Sequence, residues 1–79
     1  MNLTPNQKSV LLVLSTDWQT PIQIAGRLSR TSEDLSNINQ ALKDLIYQGW
    51  VQVNPVILGM YRLTSGGFAT KALELSKSR

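Results

Sequence analysis

Histidine and cysteine are both missing from this chain of 79 residues. Their absence removes imidazole bases, thiol nucleophiles, disulfides and the usual zinc ligands, and with them most triad-type and metal-assisted chemistry. Charge is scarce too: Asp, Glu, Lys and Arg make up 16% of the residues, against about a quarter in ordinary globular domains. Neutral Ser, Thr, Asn and Gln must therefore supply the polar surface. The carboxylates Asp17, Glu33, Asp34, Asp44 and Glu74 are scattered, and an acidic first helical turn accounts for the one adjacent pair, Glu33 and Asp34. No acid, base and nucleophile converge, so the expectation is a protein that is not an enzyme and takes no cofactor or metal.

Long apolar runs are also lacking. The longest, Val10 to Leu14, falls far short of the roughly 18 to 20 residues of a membrane span, and no basic segment followed by an apolar signal core opens the chain. These absences lead to the expectation of a cytoplasmic protein without membrane association. With so few residues, a single domain over 1–79 with a small core is expected.

Helix signals are plentiful. Thr4-Pro5-Asn6-Gln7 places a capping threonine, a proline at the first helical position and a glutamine at the third, predicting a helix from about Pro5 to about Ser15. Thr20-Pro21-Ile22-Gln23 repeats the signal, and Ile24, Ala25 and Leu28 predict a short amphipathic helix ending near Ser29 or Arg30. A third start at Thr31-Ser32-Glu33-Asp34 leads into Leu35, Ile38, Leu42, Leu45 and Ile46 at helical spacing, with a stop at Gly49, so a third helix is expected over about 32–48.

Beyond Gly49 the period becomes alternating. Trp50 to Asn54 and Met60 to Leu63 predict two strands of a hairpin around a loop with Pro55 and Gly59. Thr64 then caps a last helix with Phe68, Ala69, Ala72 and Leu75 on one face and a basic end at Lys77 and Arg79. The predicted class is mainly α with a small antiparallel β hairpin, in the order helix, helix, helix, hairpin, helix.

The segment from Thr20 to Thr64 resembles the winged helix-turn-helix superfamily. The resemblance is carried by Ile24-Ala25, Leu28, Ile38, Leu42, Leu45, Gly49-Trp50-Val51 and Tyr61-Arg62-Leu63-Thr64. It implies that the Ile-Ala and Leu positions pack the second helix on the third, that the glycine ends the recognition helix, and that the hairpin is the wing. Arg62-Leu63-Thr64 followed by Gly67 is similar to the strand-to-helix junction of MarR-like regulators, a likeness implying that the last helix contributes to a dimer. One departure is the spacing from Leu28 to Ile38, about three residues longer than the common form, which implies a longer turn or an earlier start to the third helix.

Centring the buried face of that helix on Ile38 turns Leu35, Leu42, Leu45 and Ile46 inward. Glu33, Ser36, Gln40, Lys43 and Tyr47 then face outward, flanked by Asn37, Asn39 and Asp44. In a major groove, Asn and Gln can pair with adenine through two bonds, Ser can meet several base edges, and Lys can meet guanine or phosphate. Ser36, Asn37, Asn39, Gln40 and Lys43 are accordingly the candidates for reading double-stranded DNA in a transcriptional regulator; the same residues also suit an ordinary solvated helix face. Tyr47 reads as a rim residue near the helix end.

Arg27 and Arg30 beside the turn, and Arg62 on its strand, are the candidates for phosphate contact. Surface pairing of the first two with Glu33 or Asp34 is the alternative. Residues 1–63 carry five cations against four carboxylates, a small excess for a DNA-binding domain. A homodimer would double the cationic contacts and read two half-sites.

The loop Pro55-Val56-Ile57-Leu58-Gly59 contains no cation. Its apolar residues are expected to fold back on the core or lengthen the second strand, with Gly59 as a bulge; the alternatives are contact with a second subunit or a protein partner at Val56, Ile57 and Leu58, or wedging into a minor groove. A protein-interaction module built on this loop and the first helix is the rival to the DNA reading. Trp18, Trp50 and Phe68 are expected in or near the core, although the first and last helices also offer an apolar dimer seam.

Overall fold

The computed structural model describes residues 3–28 and 35–77. Two proline-led capping boxes set the first two helices. In α1 (Pro5–Val13), the Gln7 amide donates to the Thr4 hydroxyl and the Thr4 amide donates to Gln7 Oε1. The same reciprocal pair joins Thr20 and Gln23 at the start of α2 (Pro21–Arg27). Each box satisfies amides that the first helical turn would otherwise leave unpaired, and each cap contributes about 1 kcal/mol.

Helix α1 stops two residues before the expected Ser15, with Leu14 in an extended conformation. The reason is a strand-like segment that follows it. The Ser15 carbonyl accepts from Leu63 N at 2.8 Å, and Gln19 and Tyr61 exchange both backbone hydrogen bonds at 2.8 Å. This strand-like segment lies beside the strand Tyr61–Leu63 and rests on isolated backbone contacts.

Helix α3 (Leu35–Tyr47) is described from Leu35, so its expected start near 32 lies outside the described residues, as does the expected end of the second helix at Ser29 or Arg30. Its stripe of Ile38, Ala41, Leu42 and Leu45 is buried with Val10, Leu11 and Leu14 of α1 and its end, and with Ile24 and Ala25 of α2. Gly49 adopts φ +82°, a region costly for residues with a Cβ. There Gly49 N bonds to the Ile46 carbonyl and Trp50 N to the Leu45 carbonyl, a Schellman stop that pairs the last carbonyls of the helix.

Strands β1 (Val51–Val53) and β2 (Tyr61–Leu63) pair antiparallel, with Val51 opposite Leu63, Gln52 opposite Arg62 and Val53 opposite Tyr61. Val51 and Leu63 are buried against the helices. At the hairpin end, the nearly buried Asn54 accepts from the amides of Val56 and Ile57, both at 2.8 Å. This Asx-type turn directs the tip outward, so Val56 and Leu58 are 85% and 84% exposed and Ile57 is exposed as well. The expected folding of this loop onto the core, or its joining the second strand, does not occur. Gly59 completes the turn at φ +87°.

Helix α4 (Ser65–Lys77) begins at Thr64, whose hydroxyl accepts from Gly67 N at 3.1 Å and donates to the Gly49 carbonyl at 2.7 Å. Gly67 is buried on the Trp50 backbone, and a Cβ there would overlap the Trp50 carbonyl oxygen and lie 2.8 Å from its carbon. The helix turns Gly67, Thr70, Lys71 and Glu74 toward the body, while Phe68, Ala69, Ala72 and Leu75 are exposed. Phe68, expected in or near the core, is 59% exposed: a helix that approaches through a glycine carries the next residue away from the contact. Trp18 and Trp50 are half-buried, Trp50 against the core. The fold is thus mainly helical with a two-stranded antiparallel hairpin, in the element order expected.

Glycine substitutions should separate these environments. Gly67→Ala is expected to lower stability by about 2–3 kcal/mol through overlap with rigid backbone, whereas Gly26→Ala, with open space around its Cβ in α2, should raise it by roughly 0.5–1 kcal/mol. Urea unfolding followed by circular dichroism measures both.

Candidate nucleic-acid interface

Burial of one side of α3 determines what its other side presents. With Ile38, Ala41, Leu42 and Leu45 inward, Ser36, Asn37, Asn39, Gln40 and Lys43 all lie exposed, and Tyr47 ends the row at 89% exposure. Ser36, Gln40, Lys43 and Tyr47 follow one another at helical spacing along the ridge, with Asn37 and Asn39 on its flanks. Leu35 and Ile46 are partly buried at the edges of the inner stripe. The expected division of the helix into two faces is the one observed.

Two contacts from the first turn of α1 hold this helix from outside the apolar core. Asn6 Nδ2 donates to the Asn37 carbonyl at 2.8 Å, and Gln7 Nε2 donates to Asp44 Oδ2 at 2.9 Å. Asp44 Oδ1 in turn accepts from Gln40 Nε2 at 3.2 Å. Asp44 is therefore a half-buried acceptor between α1 and the exposed ridge, a role beyond its expected flanking position. Its i,i+4 spacing from Gln40 was a legible sign of that bond; its tie to Gln7 spans 37 residues and has no local sign.

The three arginines differ in setting. Arg27 is exposed at the end of α2, on the rim of a cleft of about 410 Å³ whose walls include Trp18, Gln19 and Gln23. It makes no ion pair among the described residues. Arg30 lies outside the described residues, together with Glu33 and Asp34, so the suggested pairing among them does too. Arg62 stacks on Trp18, its guanidinium carbon 4.2 Å from the ring centre, while its Nε donates to Gln52 Oε1 at 3.0 Å. Trp18 thus supports a candidate residue 44 positions away, which no sequence periodicity indicates.

Three lysines are committed elsewhere. Lys71 Nζ donates to the Leu14 carbonyl at 2.7 Å, and Lys8 and Lys77 lie 3.9 Å and 3.1 Å from Glu74. The Lys71 and Lys8 contacts fasten α4 to α1, and the Lys77 pair lies within α4. Among the described residues, no group of three or more carboxylates could hold a metal ion and no helix is long and apolar enough to cross a membrane.

No protein-family model matches the chain, and no curated protein matches it by sequence. Solved structures do match in fold. RosR of H. salinarum superposes with a TM-score of 0.80 and 24% identity, covering 98% of this chain and 74% of that one. The Multiple Antibiotic Resistance Repressor, MarR, gives 0.70 and 28% identity over 92% of this chain and 54% of its own. The zinc-responsive MarR family member ZitR of Lactococcus lactis, in a structure solved in complex with DNA, gives 0.72 and 21% identity over 96% and 53%. The chain spans about half the length of the ZitR and MarR chains it matches. The fold is that of a winged-helix domain. Within that class it is MarR-like, with the hairpin as the wing.

Alanine at Ser36, Asn39 or Lys43 should leave stability within about 0.5 kcal/mol of the parent protein, because these side chains make no hydrogen bond or ion pair among the described residues. Urea midpoints of the three variants provide the check.

Proposed function

We propose that this chain is the DNA-binding part of a transcriptional regulator. Helix α3 enters the major groove of double-stranded DNA and reads base edges through Ser36, Asn37, Asn39, Gln40 and Lys43. Arg27, Arg30 and Arg62 meet the phosphates. The observation that carries this reading is the continuous exposed polar ridge of α3, rigidly backed by a fully buried apolar stripe. A recognition helix needs that combination, because side chains can select bases only if the helix beneath them keeps its orientation. The DNA complex of ZitR, together with the repressor named in the MarR structure, supports it by likeness of fold.

The same reading includes a homodimer. Phe68, Leu73 and Leu75 are apolar side chains of α4 that the other described residues leave exposed, and a two-fold pair would present two α3 ridges to successive half-sites. The zinc response named for the L. lactis protein is not extended to this chain, which has neither histidine nor cysteine. The rival protein-interaction reading is weaker, because α1, half of its suggested docking surface, places Val10 and Leu11 in the core.

Titration against random duplex tests the proposal. With two to four phosphates neutralised, affinity should fall roughly 10- to 150-fold between 50 and 200 mM salt. Arg27→Ala should weaken binding to all sequences alike and reduce the logarithmic salt slope by about one. Absence of binding at low salt, or binding indifferent to salt, would falsify the DNA reading.

A further inference from the structure

The carboxylate of Asp44 has a use that its charge alone would not suggest, since an acid beside a DNA-reading surface repels phosphate. A carboxylate offers only acceptors. Both amides that meet it must therefore turn their N–H groups toward it, Gln7 at 2.9 Å on Oδ2 and Gln40 at 3.2 Å on Oδ1. Gln7 is itself held in place: its Oε1 accepts from Thr4 N at 3.0 Å and its own amide donates to the Thr4 hydroxyl at 3.1 Å. A hydrogen-bond chain thus runs from the N-cap of α1 through Gln7 and half-buried Asp44 to exposed Gln40.

We propose that Asp44 is a positioning residue for base recognition, locking the Gln40 amide so that it offers adenine an acceptor and a donor side by side. This rests on the DNA reading above. One N–H of Gln40 is committed to Asp44, so the oxygen and the remaining N–H form the outward edge. That edge complements the N6 donor and N7 acceptor of adenine, whereas guanine shows two acceptors in the major groove, N7 and O6, and so sets its O6 against the Gln40 oxygen. A freely rotating amide exchanges its two ends and loses this order. Gln7 sets Asp44 in the same way from the other side, which makes the first turn of α1 part of the specificity apparatus although it carries none of the candidate base-reading residues.

The experiment is selection from a random-sequence duplex library with the full chain, followed by titration of single-base variants of the selected duplex. The parent protein is expected to prefer adenine over guanine at one position by about fivefold or more, and Gln40→Ala to abolish that preference. Asp44→Ala should reduce discrimination at the same position at least about threefold, leaving the other positions within about twofold and affinity for non-specific duplex no weaker. Gln7→Glu keeps the capping box of α1 but removes the donor to Asp44, so it should reproduce the effect with the helix start intact. Circular dichroism melting verifies that each variant is folded at the assay temperature.

Retention of the preference in both Asp44→Ala and Gln7→Glu overturns the proposal, as does a loss spread evenly over all positions, which general loosening of α3 would give. A parent protein that binds duplex with a base preference untouched by Gln40→Ala overturns this inference alone. A parent protein that shows no salt-dependent binding removes the DNA reading itself, and this inference with it.

Discussion

The burial of one stripe of α3 is the constraint on which the rest depends. Ile38, Leu42 and Leu45 are each fully or almost fully buried, and removal of side chains of this size from water is worth about 1.5–3 kcal/mol apiece. That burial sets the rotation of the helix about its axis, and the rotation decides which polar side chains meet solvent. Helix α1 supplies the opposing wall with Val10 and Leu11, α2 supplies Ile24, and the hairpin closes the core with Val51 and Leu63. The exposed ridge is a consequence of this packing and could not be turned elsewhere without exposing the core.

The sequence was legible where local chemistry is self-sufficient. Thr4 with Gln7, and Thr20 with Gln23, announce helix starts because each box satisfies its own amides. Gly49 announces a stop because the Schellman geometry needs positive φ. The division of α3 into two faces followed from a strong 3.6-residue pattern. Features settled between distant segments were not legible. The pairing of Ser15 and Gln19 with β2 uses backbone groups, which every residue type possesses, so Thr16-Asp17-Trp18 shows no alternation to betray it.

Helix α4 and the wing tip show how tertiary contact overrides composition. The apolar residues of α4 suggested an inward face, yet the close approach of Gly67 to the Trp50 backbone sets the helix by its small and polar side. At the wing, three apolar residues suggested cover by the core, yet the Asn54 side chain captures two backbone amides and directs the chain outward. Of the candidate interface, the ridge was readable from periodicity, whereas the Trp18 platform beneath Arg62 and the Gln7 tie to Asp44 were not, because each joins segments far apart in the chain.

The hydroxyl of Thr64 serves two helices at once, capping α4 through Gly67 and gripping the Gly49 carbonyl just past the end of α3. A single rotor thereby couples the carboxyl end of one helix to the amino end of the other, with the Thr64 amide on the Trp50 carbonyl as a second rivet. A tilt imposed on α4 from outside must either break this rivet or swing the tail of α3 with it. The orientation of α4 is thereby tied, through two hydrogen bonds, to the end of the exposed ridge.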